Sequence, residues 1–153
     1  MIRILSVTYK DNKFGGPYAV AYDHKNSLEK KNFYIRLFSH DSILLFRYIT
    51  SIKRIKSFLN KFDLIHVHCL FSIRSMLILK IAELLSIPSV LSLHGNLNRW
   101  SMKNNYFRKM IFLKFFRKNI NSVSLIHFLN NSEKEEASRF IDVDKIPYRI
   151  NQN

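Results

Sequence analysis

A chain of 153 residues with 47% hydrophobic residues can bury one domain's core and is too apolar to stay disordered. Its 25 lysines and arginines against 11 aspartates and glutamates leave a formal charge of +14, which favours phosphates, nucleic acid or acidic lipid as partners, although AT-rich coding produces the same wealth of Lys, Asn, Ile and Phe with no function attached. The single cysteine, Cys69, excludes an internal disulfide and fits a reducing compartment.

Residues 2–8, IRILSVT, read as a first strand. The turn-rich loop KDNKFGGP follows, and Pro17 suits the first position of a helix over 18–31, weakened by Asp23, Asn26 and Ser27. NFYIRLFS (32–39) is a second strand. Asp41 or Ser42 can cap the next helix, whose apolar Leu45, Ile49, Ile52, Ile55 and Leu59 recur every three or four positions beside a basic side of Lys53, Arg54 and Lys56. FDLIHVHCL (62–70) is strand-like, and SIRSMLILKIAELLS (72–86) is a strongly apolar helix. Pro88 ends that helix and opens the strand SVLSLH (89–94). One long helix is expected over 101–121, then an apolar strand, SVSLIHFL (122–129). SEKE (132–135) fits a capping box, with the Ser132 hydroxyl accepting from the Glu135 N–H ahead of a helix to about Phe140. No element is assigned to the closing KIPYRINQN.

Strands alternating with helices specify an α/β fold, a Rossmann-like parallel sheet with helices on both faces. The nearly continuous apolar runs of the later strands agree with cover on both sides. Such sheets bind ligands beyond the carboxyl ends of their strands. The residues that matter most are therefore the loop 9–16, Cys69 to Ser72, His94 to Asn98 and Asn130 to Ser132.

All three glycines, Gly15, Gly16 and Gly95, fall in those loops. Gly15-Gly16 before a helix offers backbone N–H groups at the positive end of a helix dipole, which suits a phosphate, and it equally makes an ordinary tight turn. His94-Gly95 ends a strand at the crevice. The histidine there can bond a sugar hydroxyl or donate to a phosphate oxygen, or it can be a core histidine satisfied by backbone with Gly95 as a turn. His66 and His68 share one face of their strand. They could contribute to a zinc site, but no third ligand is evident nearby in sequence, so no metal site is expected. His24, His40 and His127 have no company that points to chemistry, and Cys69 has no base partner for nucleophilic catalysis.

The segment 100–118 mixes aromatic residues with cations, and Trp100, Lys103, Arg108, Lys109, Lys114, Arg117 and Lys118 form its candidate membrane surface. Its apolar residues spread around the helical wheel, so a helix packed on the sheet with snorkelling Lys and Arg fits as well. No RNA or DNA motif is found, and a nucleic-acid partner is not expected. The opening MIRILSVTYKDNKF is too short in apolar residues for a signal peptide, and no run reaches the roughly 18 apolar residues of a membrane span. The expected location is cytoplasmic, with contact to the inner membrane face.

GGP after the first strand, FDLIHVHCLFS, IPSVLSLHGNLNRWSMK and LIHFLNNSEKEE follow one another in an order and spacing that resemble the N-terminal domain of glycosyltransferase family 4. The resemblance covers nearly the whole chain. It implies half of a GT-B fold, two Rossmann-like domains facing across a cleft, with the acceptor on the N-terminal side and the nucleotide-sugar donor on the other. The implied chemistry is sugar transfer with retention of configuration, without a cofactor and usually without a metal ion. By the same resemblance His94 stands beside the transferred sugar as the catalytic candidate. His68 lies near the acceptor, and Gly15, Gly16, Gly95 and Asn96 complete the substrate-binding set. Two departures stand out. Cys69 replaces a frequent glycine, and Tyr148-Arg149 replaces the Asn-Gly that follows proline. The donor domain with its glutamate pair is absent from the 153 residues, read as a single acceptor-side domain. The expected function is thus the acceptor-binding half of a transferase in surface polysaccharide assembly, paired with a separate donor-binding chain and a glycan or lipid-linked acceptor. The alternative is a non-catalytic truncated remnant or a basic membrane-surface binding module.

Overall fold

Strand β1 (Ile2–Thr8) sets up two unlike faces. Its alternate residues Leu5 and Val7 are apolar, whereas Ser6 and Thr8 between them are polar, and all four are buried. The computed structural model describes residues 1–9, 16–39 and 52–150. Gly15, His40, the caps expected at Asp41 or Ser42, and the apolar positions Leu45 and Ile49 lie outside the described residues.

Six strands form one parallel sheet in the order β2-β1-β3-β4-β5-β6. They are β1, β2 (Phe33–Ser39), β3 (Leu64–Val67), β4 (Ser89–Ser92), β5 (Leu125–Phe128) and β6 (Tyr148–Ile150). The order reverses between β1 and β3, which makes the carboxyl ends of those two strands the switch point of the sheet. Register runs Ser6 to His66, His66 to Val90 and Ser92 to His127, so these residues share a face.

The other face carries Leu5, Val7, Ile65, Val67, Leu91, Ile126 and Phe128, all fully buried. Among the described residues, four helices close over it: α2 (Ile52–Leu59), α3 (Ile73–Leu84), α5 (Tyr106–Asn121) and α6 (Asn131–Ala137). Ile55, Leu59, Met76, Leu79, Leu113, Ile120 and Ala137 join the strand residues in one apolar core. On the polar face, among the described residues, only α1 (Gly16–Glu29) packs, against β1 and β2. The α/β expectation therefore holds, with most of the apolar cover on one side.

Helix α3 shows how local signals fix an element. Ser72 accepts from the Ser75 N–H at 3.2 Å and caps the start. At the other end the Ile87 N–H bonds the Ala82 carbonyl and the Ser86 N–H bonds the Glu83 carbonyl, a Schellman closure with Ser86 at φ 55°. Pro88 then prevents the helix from resuming.

Three expectations are corrected. The long helix over 101–121 is two helices, α4 (Arg99–Lys103) and α5, split at Asn104-Asn105 with Asn105 left-handed at φ 59°. Asparagine tolerates that conformation, and Asn98 caps α4 by accepting from the Ser101 N–H at 3.0 Å. The helix cap lies two residues earlier than expected: Asn130, not Ser132, is the cap, and its side chain accepts from the Glu133 N–H at 2.8 Å. Finally, Tyr148–Ile150 forms β6 on β5, where no strand is expected from sequence.

Candidate functional site at the carboxyl ends of the strands

The backbone turns sharply after β4. The Asn96 N–H donates to the Leu93 carbonyl at 3.0 Å, and the two residues between them have positive φ, 48° at His94 and 72° at Gly95. Positive φ at both central positions marks a type I′ turn. Glycine adopts it freely, while histidine is held there at some strain. A side chain at Gly95 would also meet Asn98 Nδ2 at 3.0 Å, and Asn98 caps α4. Glycine at 95 thus answers both a backbone angle and a close approach.

Glu133 locks this turn. It is 5% exposed, and its carboxylate accepts from the Gly95 N–H and, at 2.6 Å, from the Leu129 N–H. One buried acid therefore ties the turn after β4 to the loop after β5. Glu133 escapes the sequence reading, although Asn130-x-x-Glu133 is itself a capping signature. Its carboxylate serves neighbouring loops instead of the cap's own N–H.

All five described histidines gather on the polar face of the sheet. His68 Nδ1 lies 2.8 Å from His94 Nε2. His66 Nε2 lies 2.8 Å from Ser92 Oγ, which lies 3.0 Å from His127 Nδ1. His24, on α1, stacks over His66, with ring centroids 6.0 Å apart, and the His66 and His68 rings are 3.9 Å apart. Burial, reinforced by the neighbouring imidazoles, pushes His66 down to about 3 and His94 down to about 4. The same causes hold His68 well below the ordinary range, and burial leads the lowering at His24. At neutral pH these rings are uncharged, each with one donor and one acceptor nitrogen. The expectation that His24 and His127 keep no chemical company is corrected. Shared strand parity could have paired His127 with Ser92 and His66, but nothing in sequence places His24.

His94 also faces a crevice of about 550 Å³ with Gly16, Pro17, Asn96, Trp100 and Leu129 on its walls. The crevice joins the start of α1 to the turn after β4. The structure therefore brings Gly16, His94 and Asn96 together, with Gly95 in the turn between the last two. His68, expected near the acceptor, is fully buried, and its Nδ1 meets His94 on the crevice wall. Helix α1 begins at Gly16 itself, ahead of Pro17, and a side chain at 16 would meet nothing within 4 Å. Cys69 is buried.

The basic aromatic segment divides. Lys109 turns inward, donating to the Ser101 carbonyl at 2.7 Å and to Ser101 Oγ at 3.1 Å with its ammonium over the Phe71 ring. Arg117 donates to Asp142 at 2.7 Å. Lys109 therefore leaves the expected membrane surface, and Arg117 is tied to an acid. Lys103, Arg108, Lys114 and Lys118 remain exposed. Beside them stand Trp100, Phe107 and Phe115, each about three-quarters exposed, and Ile111.

The sequence profile of Glycosyltransferase Family 4 matches residues 14–153. The chain belongs to glycosyltransferase family 4. Its fold is similar to that of Anabaena HepE solved with UDP and glucose, with a TM-score of 0.64 at 12% identity, covering 100% of this chain and 45% of HepE. HepE solved with UDP-glucose gives 0.63 at 13% identity, and HepE solved with UDP gives 0.65 at 12%; both matches cover all of this chain and 44% of HepE. This family 4 chain thus has the Rossmann-like fold of one GT-B half and spans less than half the length of HepE. No protein of curated function matches it in sequence. No described helix is long and apolar enough to cross a membrane.

Proposed function

We propose that this chain is the acceptor-side half of a retaining glycosyltransferase that moves a sugar from a nucleotide-sugar donor to a glycan or lipid-linked acceptor in surface polysaccharide assembly. The observation that carries the reading is the crevice beside the switch point, with His94 on its wall. His94 Nε2 is engaged by His68, which leaves Nδ1 as the nitrogen for a ligand. As a neutral ring, His94 can bond a sugar hydroxyl without carrying a charge into the site. A second Rossmann half, in the same or a separate chain, would supply the donor site. HepE, with its UDP-glucose, makes a uridine-linked sugar the first donor to try.

The exposed cations and aromatics of α4 and α5 support peripheral contact with an anionic membrane, which would bring a lipid-linked acceptor to the crevice through Trp100 at its rim. The same surface favours a second reading, a membrane-surface binding module without transfer. The two part in one experiment. Labelled glucose transfer from UDP-glucose into membrane glycolipid and polysaccharide is measured for the chain assembled with a donor-binding half. His94→Ala is expected to lower transfer by at least about 100-fold. Equal transfer by both proteins would remove His94 from the mechanism, and no transfer by either would leave the binding module.

A further inference from the structure

The polar face holds a cluster that the crevice does not use. His24 of α1, His66 of β3 and His68 just beyond the end of β3 each place a ring nitrogen within 4.8 Å of the others. His68 is fully buried, yet its Nε2 has no hydrogen-bond partner among the described residues. A buried polar atom without a partner calls for an explanation. The nitrogen beside it in the same ring is taken, since Nδ1 bonds His94 Nε2. His66 likewise has its Nε2 engaged, by Ser92 Oγ at 2.8 Å.

We propose that His24, His66 and His68 form a binding site for a borderline transition metal ion of the Zn²⁺ class. Three neutral imidazoles match such ions, and with neither carboxylate nor thiolate in the set they do not match Mg²⁺ or Ca²⁺. Ring nitrogens bind zinc at about 2.0–2.1 Å. The three nitrogens would therefore draw together by roughly an ångström or more, a movement open to His24, which is not fully buried, on its single covering helix. The second shell is already built. A metal on His68 Nε2 requires the proton on Nδ1, which then donates to His94 Nε2, and Ser92 stands in the same relation to His66. A cavity of about 330 Å³ lined by Ser6, His24 and His66 gives an ion access from the α1 side. The site has one consequence for the crevice: with the metal bound, His94 must carry its proton on Nδ1 and becomes a donor to whatever lies there.

The test uses the full chain stripped with a chelator and titrated with Co²⁺ and Zn²⁺, so sugar transfer is not needed. Expected are one equivalent of Co²⁺ with a tetrahedral visible spectrum, competition by Zn²⁺, and affinity lowered at least tenfold in His24→Ala. In the unsubstituted protein, Zn²⁺ should shift the ring-nitrogen resonances of three histidines, which tests the site even if a variant folds poorly. Absence of saturable binding at one equivalent would overturn the proposal, leaving a water as the partner of His68. Equal affinity in folded His24→Ala would overturn it too.

Discussion

Replacing Glu133 with alanine should cost about 3 kcal/mol of folding stability. The carboxylate accepts from two backbone N–H groups, those of Gly95 and Leu129, in a place where the side chain is almost wholly withdrawn from water. Each buried donor left without a partner costs about 1–3 kcal/mol, and hydrogen bonds to charged groups lie in the upper part of that range. Partial access of water to two surface loops brings the total down towards the middle. Urea unfolding measures it directly: with an m of roughly 2 kcal/mol/M, the midpoint should fall by about 1.5 M with m unchanged. Glu133→Gln should lie between the two proteins, because one amide oxygen can serve one N–H while the NH₂ group faces the other donor. A midpoint for the alanine variant within about 0.3 M of the parent would refute the assignment of Glu133 as the acceptor for both loops. Equality of Gln and Glu would refute the need for two oxygens.

Gly95→Ala should destabilise by about 1–2 kcal/mol, because φ is 72° there and the new methyl presses on Asn98, read by the same urea curves. Ser86→Gly should do the reverse and stabilise by about 0.5–1 kcal/mol in thermal unfolding, since Ser86 is exposed and left-handed at the end of α3. Acid should weaken the metal-free protein: His66 at about 3 and His94 at about 4 bind fewer protons folded than unfolded, so their contribution is complete above pH ~6.5 and is lost as pH falls towards those values. The groups facing them are the imidazoles of His24, His68 and His127, and Asp23 acts weakly through His24. Flat stability between pH 6.5 and 5, above the range of the paired acids, would contradict this. Phe107→Asp with Phe115→Asp should leave stability within about 0.5 kcal/mol and abolish flotation with anionic vesicles at low salt; flotation unchanged would end the membrane reading.

How much of this was legible in the sequence depends on how local each cause is. Strands β1 to β5 announce themselves as apolar runs, and α3 as an apolar helix bounded by Ser72 and Pro88, because burial and capping act within a few residues. β6 is three residues, Tyr-Arg-Ile, at a sheet edge with Tyr148 and Arg149 exposed, so it carries no burial pattern to read. The break at Asn104-Asn105 is hidden because asparagine is tolerated in a helix and in the left-handed turn alike. In the site, the parity of His66 and His68 and the closeness of His94 to the end of β4 were visible, although β4 stops at Ser92, two residues before the expected end. The meeting with His24 was not, since it depends on which face α1 covers. Lys109 looked like a surface cation, and only the fold of α4 against α5 turns it inward to Ser101.

The two faces of the sheet divide the work. On one, among the described residues, four helices and the strand residues Leu5, Val7, Ile65, Val67, Leu91, Ile126 and Phe128 make a continuous core, and that burial is the main source of stability. The other holds Ser6, Thr8, His66, His68, Ser92 and His127 under, among the described residues, a single helix. Such a face contributes less apolar burial, and atoms on it without a partner among the described residues, Ser6 Oγ, Thr8 Oγ1 and His68 Nε2, oppose folding. Histidine is the side chain best suited to it. The ring can be buried neutral near pH 7 and still offer a donor and an acceptor, so a chain of rings can pass hydrogen bonds from the interior to the crevice. A lysine or glutamate in the place of His68 would bring a buried charge without a partner. The stability surplus of the apolar face is what permits this arrangement, and removing it selectively separates the roles. His68→Leu should keep or raise the urea midpoint while freeing His94 Nε2. If the polar face serves chemistry, that variant is stable and impaired in the transfer assay; if the histidines are packing alone, it is stable and unchanged.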